Sequence, residues 1–259
     1  MLIHFSHANG FPASSYKKFF SYLAPEHEVH YIDVIGHNSR YPVVENWPHQ
    51  VRELIDYIEE HYSEPVIGMG HSFGGVLTYI AAQRRPELFK ALVLFEPPIF
   101  NHVKATGIGL VKHTPLFRKI TIGGDAAKRR RQWGNATEAL DYFRSKRAFK
   151  YVATEVLEDY ISAGTIPTET GITLRIAPEL EQHIALTIPH RVRRAKKAAH
   201  LPFAVFYGAN SHYLYNRFDH YTFELYYHAK LIKVPGSHIF PLEHPQAVAT
   251  EVKKFLNSL

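Results

Sequence analysis

Short apolar runs recur along the chain, each followed by a turn and then by a helical pattern: Leu2 to Phe5, Val29 to Val34, Pro65 to Met69, Ala91 to Phe95, Phe203 to Tyr207 and Leu231 to Val234. Several are apolar at successive positions, which suits strands buried on both faces of a parallel sheet. Between them, apolar residues return at helical spacing. Tyr16, Phe19, Phe20 and Leu23 share one face; Trp47, Val51, Leu54, Ile55 and Ile58 share another; Val248, Val252, Phe255, Leu256 and Leu259 line a third. Asn46 is placed to cap the second of these helices, with Pro48 in its first turn. Strands alternating with helices make βαβ units, right-handed crossovers and one doubly wound α/β sheet.

The rhythm stops between residues 101 and 198. That stretch carries helical patterns, such as Thr137 to Phe149 and Tyr151 to Ile161, and little strand pattern. A structureless loop of that length is improbable in a compact domain. The expected organisation is a core of residues 1–100 and 199–259 with a helical cap inserted over 101–198. Charge marks the same boundary: residues 101–200 hold 18 Lys/Arg against 9 Asp/Glu, while the whole 259-residue chain is only +6. A basic segment on a slightly acidic body points to a distinct segment that attracts a small anionic substrate. Arg129-Arg130-Arg131 and the run Arg191 to Lys197 raise nucleic-acid binding, but no recognised module accompanies them, and a solvated helix face accounts for them better. No apolar run approaches the roughly 20 residues of a membrane span. The amino terminus reads as a strand and not as a secretion signal. With no cysteine, thiolate metal sites and thiol nucleophiles are excluded, and a cytoplasmic location is expected. No H-E-x-x-H or similar spacing calls for a metal, and no cofactor is implied.

The chemistry concentrates in Gly70-His71-Ser72-Phe73-Gly74, set between the apolar run ending at Met69 and the helical pattern Val76 to Arg84. G-x-S-x-G at a strand-to-helix turn presents a serine hydroxyl above the sheet, and glycines two residues either side avoid clashes with neighbouring backbone. Ser72 is therefore the candidate nucleophile, and the N–H of Phe73 is one candidate donor to an oxyanion. His238 is the candidate general base: it follows a strand and Gly236 and precedes the last helix. His71 reads as a packing residue.

With these motifs the chain resembles the α/β-hydrolase superfamily over nearly its whole length. His7-Ala8-Asn9-Gly10-Phe11-Pro12 looks like the family's oxyanion loop, Asp33 to Ser39 its segment after the next strand, and Gly236 to Pro245 its catalytic histidine loop. The resemblance implies about six core strands, mostly parallel. It implies a second oxyanion donor at the Phe11 N–H. His7 and Asn9 are expected to brace that loop, and with His212, which lies in the loop after another strand, they are the candidate polar pocket residues. The usual acid position, G-x-x-D after the penultimate strand, is here Gly208-Ala209-Asn210-Ser211, without a carboxylate. Some relatives carry the acid one strand earlier, where this chain has Glu96. Glu96 is favoured because it ends a core strand directly and Pro97 and Pro98 stiffen its turn; Asp219 is the alternative. The implied activity is a serine esterase or thioesterase working through an acyl-enzyme. Open alternatives are an aminopeptidase, a carbon–carbon bond hydrolase or a perhydrolase on the same scaffold, or a slow-turnover, receptor-like binding protein. Phe100, Phe143 and Tyr151 are the expected apolar pocket residues under the cap.

Overall fold

A computed structural model describes residues 1–24, 26–121, 123–193, 198, 200–211 and 217–259. In chain order the elements are β1 (Leu2–Ser6), α1 (Lys17–Leu23), β2 (Glu28–Tyr31), α2 (Pro48–His61), β3 (Val66–His71), α3 (Phe73–Arg84) and β4 (Phe89–Phe95). Then come α4 (His102–Val111), α5 (Pro115–Ile120), β5 (Gln132–Trp133), α6 (Ala136–Arg144), α7 (Thr154–Gly164), β6 (Thr165–Thr168), β7 (Gly171–Leu174) and α8 (Pro178–Leu186). The chain closes with β8 (Phe203–Gly208), α9 (Arg217–Tyr221), β9 (Lys230–Val234), α10 (Phe240–Glu243) and α11 (Pro245–Leu256).

Six strands form one sheet in the order β2-β1-β3-β4-β8-β9, every pair parallel. Each of the six apolar runs overlaps one of these strands, although the run Val29 to Val34 continues past β2, which ends at Tyr31. The central ones, β3 and β4, are buried along nearly their whole length, which is why they read as continuous apolar runs and not as alternating ones. The chain leaves β1 for β2 on one side and then crosses back to β3 on the other. This reversal makes a topological switch point, and ligands of open parallel sheets bind outside the carboxyl ends of strands at such a point. Apolar faces of α1 and α11 cover one side of the sheet through Phe19, Leu23, Val252 and Leu256, and α2 and α3 cover the other through Leu54, Ile58, Val76 and Leu77.

The helix starting at Pro48 departs from expectation in one detail. Its N-cap is Trp47, not Asn46, and both residues take positive φ (57° and 64°). Trp47 is held there by its indole N–H, which donates to Ile184 O and Thr187 Oγ1 at 3.1 Å each, so tertiary packing sets this helix end.

Between β4 and β8 the chain forms α4 to α8 and also a small antiparallel sheet, β5-β7-β6. The segment is thus not purely helical. Its strands are two to four residues long, and β6 contains Pro167, which only an edge strand tolerates. Strands so short carry no legible alternation. Phe143, Phe149, Tyr160 and Trp133 pack together as the segment's own aromatic core.

Candidate active site

The end of β3 carries the sharpest backbone feature. Ser72 sits at φ 51°, ψ −113°, outside the ordinary regions for a side-chain-bearing residue. The turn holds because its neighbours fix it: Ser72 N–H donates to Phe95 O (2.8 Å) and Gly74 N–H to His7 O (3.0 Å). A Cβ at Gly74 would come within 2.1 Å of Ser6 O, and one at Gly70 within 2.5 Å of Gly74 O, so both glycines are required by close backbone approach. Phe73 opens α3, and its N–H has no acceptor among the described residues.

The adjacent strand ends in a second positive-φ residue, Glu96 (φ 40°). Its carboxylate is fully buried. One oxygen accepts from Gly208 N–H (2.9 Å); the other accepts from Ser211 Oγ–H (2.8 Å) and lies 2.6 Å from His238 Nδ1. An imidazole donating through Nδ1–H to this carboxylate exposes Nε2 as the proton acceptor. His238 and Ser72 line one cavity of about 660 Å³. The structure therefore brings Ser72, His238 and Glu96 to the same rim of the sheet. Asp219 is elsewhere: it accepts from Asn101 Nδ2 (2.7 Å) and pairs with Lys104 Nζ (2.5 Å).

Two side chains behind the histidine were not expected there. His71 Nε2 lies 2.9 Å from the carbonyl of His238, and Tyr16 OH lies 2.7 Å from His71 Nδ1. The carbonyl can only accept, so His71 donates through Nε2–H and accepts from Tyr16 OH. Burial, reinforced by neighbouring His238, holds His71 well below its ordinary pKa and hence neutral. The expectation that His71 merely packs is corrected: it ties the backbone of the His238 loop to the floor of the elbow. Ser211 was likewise unrecognised as a partner, although it stands where the family pattern puts the acid.

The loop after β1 requires a further correction. The Phe11 N–H donates to Ala8 O (3.0 Å) and closes a turn, so it is not available to an oxyanion. The Asn9 N–H has no acceptor among the described residues, and Asn9 lines the cavity beside Ser72 and Phe73. His7 braces this loop. Its Nδ1 contacts Ala8 O (2.8 Å) and its Nε2 accepts from Ile35 N–H (2.8 Å), a pattern that needs the neutral ring. Burial lowers its pKa to about 4. Asn9 Nδ2 donates to Glu181 O (2.8 Å), joining the loop to α8. Phe11 packs at a tilt in the aromatic cluster with Phe149 and Tyr160 and also borders the cavity. His212 lies outside the described residues.

Much of the cavity wall comes from the inserted segment, through Ile108, Phe117, Ile120, Ile184 and Ile188, joined by Phe100 just before it and by Trp47 and Phe11 of the core. Of the three expected pocket residues only Phe100 is among them. Phe143 is in the segment's core, and Tyr151 is 67% exposed. Arg129, Arg130 and Arg131 pair with Glu181, Glu138 and Glu179, so this run serves internal ion pairs. The Arg191 to Lys197 run lies largely outside the described residues.

A parallel sheet with a strained serine at its switch point, and a carboxylate–histidine pair across the rim, is the framework of an α/β hydrolase. The chain belongs to the alpha/beta hydrolase family, which it matches over residues 2–251. Comparison with curated protein sequences finds no match. Among solved structures it is similar to an E-2-(acetamidomethylene)succinate hydrolase (TM-score 0.77, 15% identity, covering 99% of this chain and 91% of that one). It is also similar to a thioesterase domain from the curacin biosynthetic pathway (0.71, 16%, 98% and 90%) and to a peroxisomal α/β-hydrolase from Saccharomyces cerevisiae (0.72, 18%, 99% and 76%). At such identities the likeness establishes the fold and not the substrate. Among the described residues no helix is long and apolar enough to cross a membrane, and no cluster of three His, Cys, Asp or Glu side chains could hold a metal.

Proposed function

We propose that this protein is a serine hydrolase that cleaves a carboxylic ester or thioester through an acyl-enzyme. The observation that carries the reading is the 2.6 Å contact between His238 Nδ1 and the buried Glu96, with His238 facing the cavity that also holds Ser72. In the proposed cycle His238 Nε2 takes the Ser72 proton as Oγ attacks the carbonyl carbon. Glu96 fixes the tautomer and stabilises the imidazolium that forms. The N–H groups of Phe73 and Asn9 hold the tetrahedral oxyanion, each such donor being worth about 3 kcal/mol. His238 then protonates the leaving oxygen or sulfur. Water, deprotonated by the same imidazole, releases the acid and restores Ser72. The apolar walls supplied by the insert fit the hydrocarbon part of an acyl group.

The test is a chain-length panel of esters and acyl thioesters, run with wild type and Ser72→Ala. Wild type is expected to turn over members of the panel and to react with a fluorophosphonate. Ser72→Ala should fold normally and lose essentially all turnover, because alanine offers no hydroxyl to acylate. Wild-type rates from a clean Ser72→Ala preparation would sink the proposal. Fluorophosphonate labelling without turnover on any substrate would favour a receptor-like binding protein instead.

A further inference from the structure

A second cavity, of about 890 Å³, shares His238 with the first. One wall is built from the loops after β8 and β9, including Asn210, Ser211 and Ser237; the other is the turn between α6 and α7, with Arg147 and Lys150. The two cavities differ in chemistry. The Ser72 cavity is walled by Phe and Ile, and its cation, Lys104, is paired with Asp219 at 2.5 Å. Arg147 and Lys150 have no acidic partner among the described residues, whereas Arg129, Arg130, Arg131 and Arg175 of the same segment are all ion-paired. Lys150 Nζ is 5.2 Å from the centre of the Tyr151 ring, on the same wall. Glu243, which also borders the cleft, is engaged by Ser237 through its N–H (2.5 Å) and Oγ–H (2.9 Å).

We propose that this second cavity receives the leaving group of the substrate and selects one that carries an anionic group, a carboxylate or a phosphate. The proposal rests on the acyl-transfer reading. In that reaction the Ser72 Oγ–carbon bond forms and the carbon–oxygen or carbon–sulfur bond breaks. The proton that His238 took from Ser72 passes to the departing oxygen or sulfur, which leaves as an alcohol or thiol with its distant anion unchanged. The departing atom must therefore lie against His238, the residue common to both cavities. The acyl chain takes the apolar side and the leaving group the cationic one. Two cations of the insert, Arg147 and Lys150, then bear on the leaving group and not on the acyl group.

The experiment compares kcat/KM for 4-carboxyphenyl butyrate and phenyl butyrate, with monophenyl glutarate as the ester charged on its acyl side. A fourth ester, 4-(phosphonooxy)phenyl butyrate, separates phosphate from carboxylate. Wild type is expected to prefer the esters with charged leaving groups, and the preference to fall about tenfold in Arg147→Gln/Lys150→Gln and to weaken with salt. Monophenyl glutarate should show no matching fall. An unchanged ratio in an active double variant overturns the cleft while leaving the acyl-transfer reading intact. An equal fall for monophenyl glutarate also overturns it, as the sign of a diffuse field. A wild type that hydrolyses none of the esters removes both proposals together. Each single variant yields the same ratio if the double variant fails to fold.

Discussion

Glu96 collects three contacts at the end of β4, from His238, Ser211 and the Gly208 N–H. A buried carboxylate needs such partners, because stripping it of water costs several kcal/mol. Ser211 fills the place after β8 where relatives carry an aspartate, and its hydroxyl donates to the carboxylate arriving from β4. Glu96→Gln should therefore lower kcat by about 10³- to 10⁴-fold, since the amide would no longer hold the imidazole in the productive tautomer or stabilise its charged form. Asp219→Asn should act on stability instead. It breaks the pair with Lys104 and its buried contact with Asn101, at a cost of about 1–3 kcal/mol. Steady-state kinetics and thermal melts on the two variants check both statements. If Asp219→Asn were the one that abolishes kcat, the acid would be misassigned.

At the scale of elements, Ser72, Glu96 and His238, the groups of the proposed triad, come from the ends of separate strands, and hydrogen bonds to other residues brace them. One such link runs from the turn before α1 through the elbow to the loop after β9, by way of Tyr16, His71 and the His238 carbonyl. All of it sits in the aromatic cluster of Phe5, Phe95 and Phe240. Tyr16→Phe leaves the ring in place and removes the hydroxyl, so His71 Nδ1 stays buried without a donor. A loss of about 1–3 kcal/mol is expected. The same change should lower kcat several-fold with KM nearly unchanged, because the imidazole of His238 is then less firmly placed. A drop in stability with kcat intact would show that the link serves folding alone.

Across the whole molecule, buried ionisable groups set the pH range of stability. Burial lowers His4 to about 3 and His7 to about 4, and keeps His71 neutral. The unfolded chain protonates these rings near their ordinary pKa of about 6.5 while the fold does not, so stability is lost as pH falls below that value. Glu53 on α2 acts oppositely. Burial raises it to about 7, so the fold holds its proton where the unfolded chain releases it, and stability is lost as pH rises from about 4.5 to 7. Three histidines outweigh one glutamate. The thermal midpoint should fall between pH 7 and pH 4.5, and Glu53→Gln should steepen that fall while stabilising the protein at pH 8 by about 2 kcal/mol. Melts across this range decide it; a flat profile would mean that the histidines are not held neutral.

The strands, the elbow and the order of motifs were legible in the sequence because each rests on local rules. A strand buried on both faces must be apolar throughout, as Ala91 to Phe95 is, and a serine at a strained turn needs glycines at fixed offsets, as Gly70 and Gly74 are. Glu96 was legible for a related reason: it directly ends a core strand, so its place on the rim follows from the strand itself. The proposed second oxyanion donor was not, because a turn decides which N–H is free; the Phe11 N–H closes onto Ala8 O, and among the described residues the Asn9 N–H is left without an acceptor. The partners of Glu96 and His238 were hidden for another reason. Ser211 and Glu96 lie 115 residues apart, and Tyr16 and His71 55 apart, and nothing local marks a serine or tyrosine for contacts at that range. The short sheet within the insert escaped because two to four residues cannot display a period. The allocation of the insert's charge, with Arg129 to Arg131 in ion pairs and Arg147 and Lys150 facing a cleft, depends on which side chains packing brings within reach. Local pattern alone was enough to read the parallel sheet, the elbow that carries Ser72 and the loop that carries His238; which side chains support the proposed nucleophile and base was settled only by folding, because those hydrogen bonds join residues that are distant along the chain.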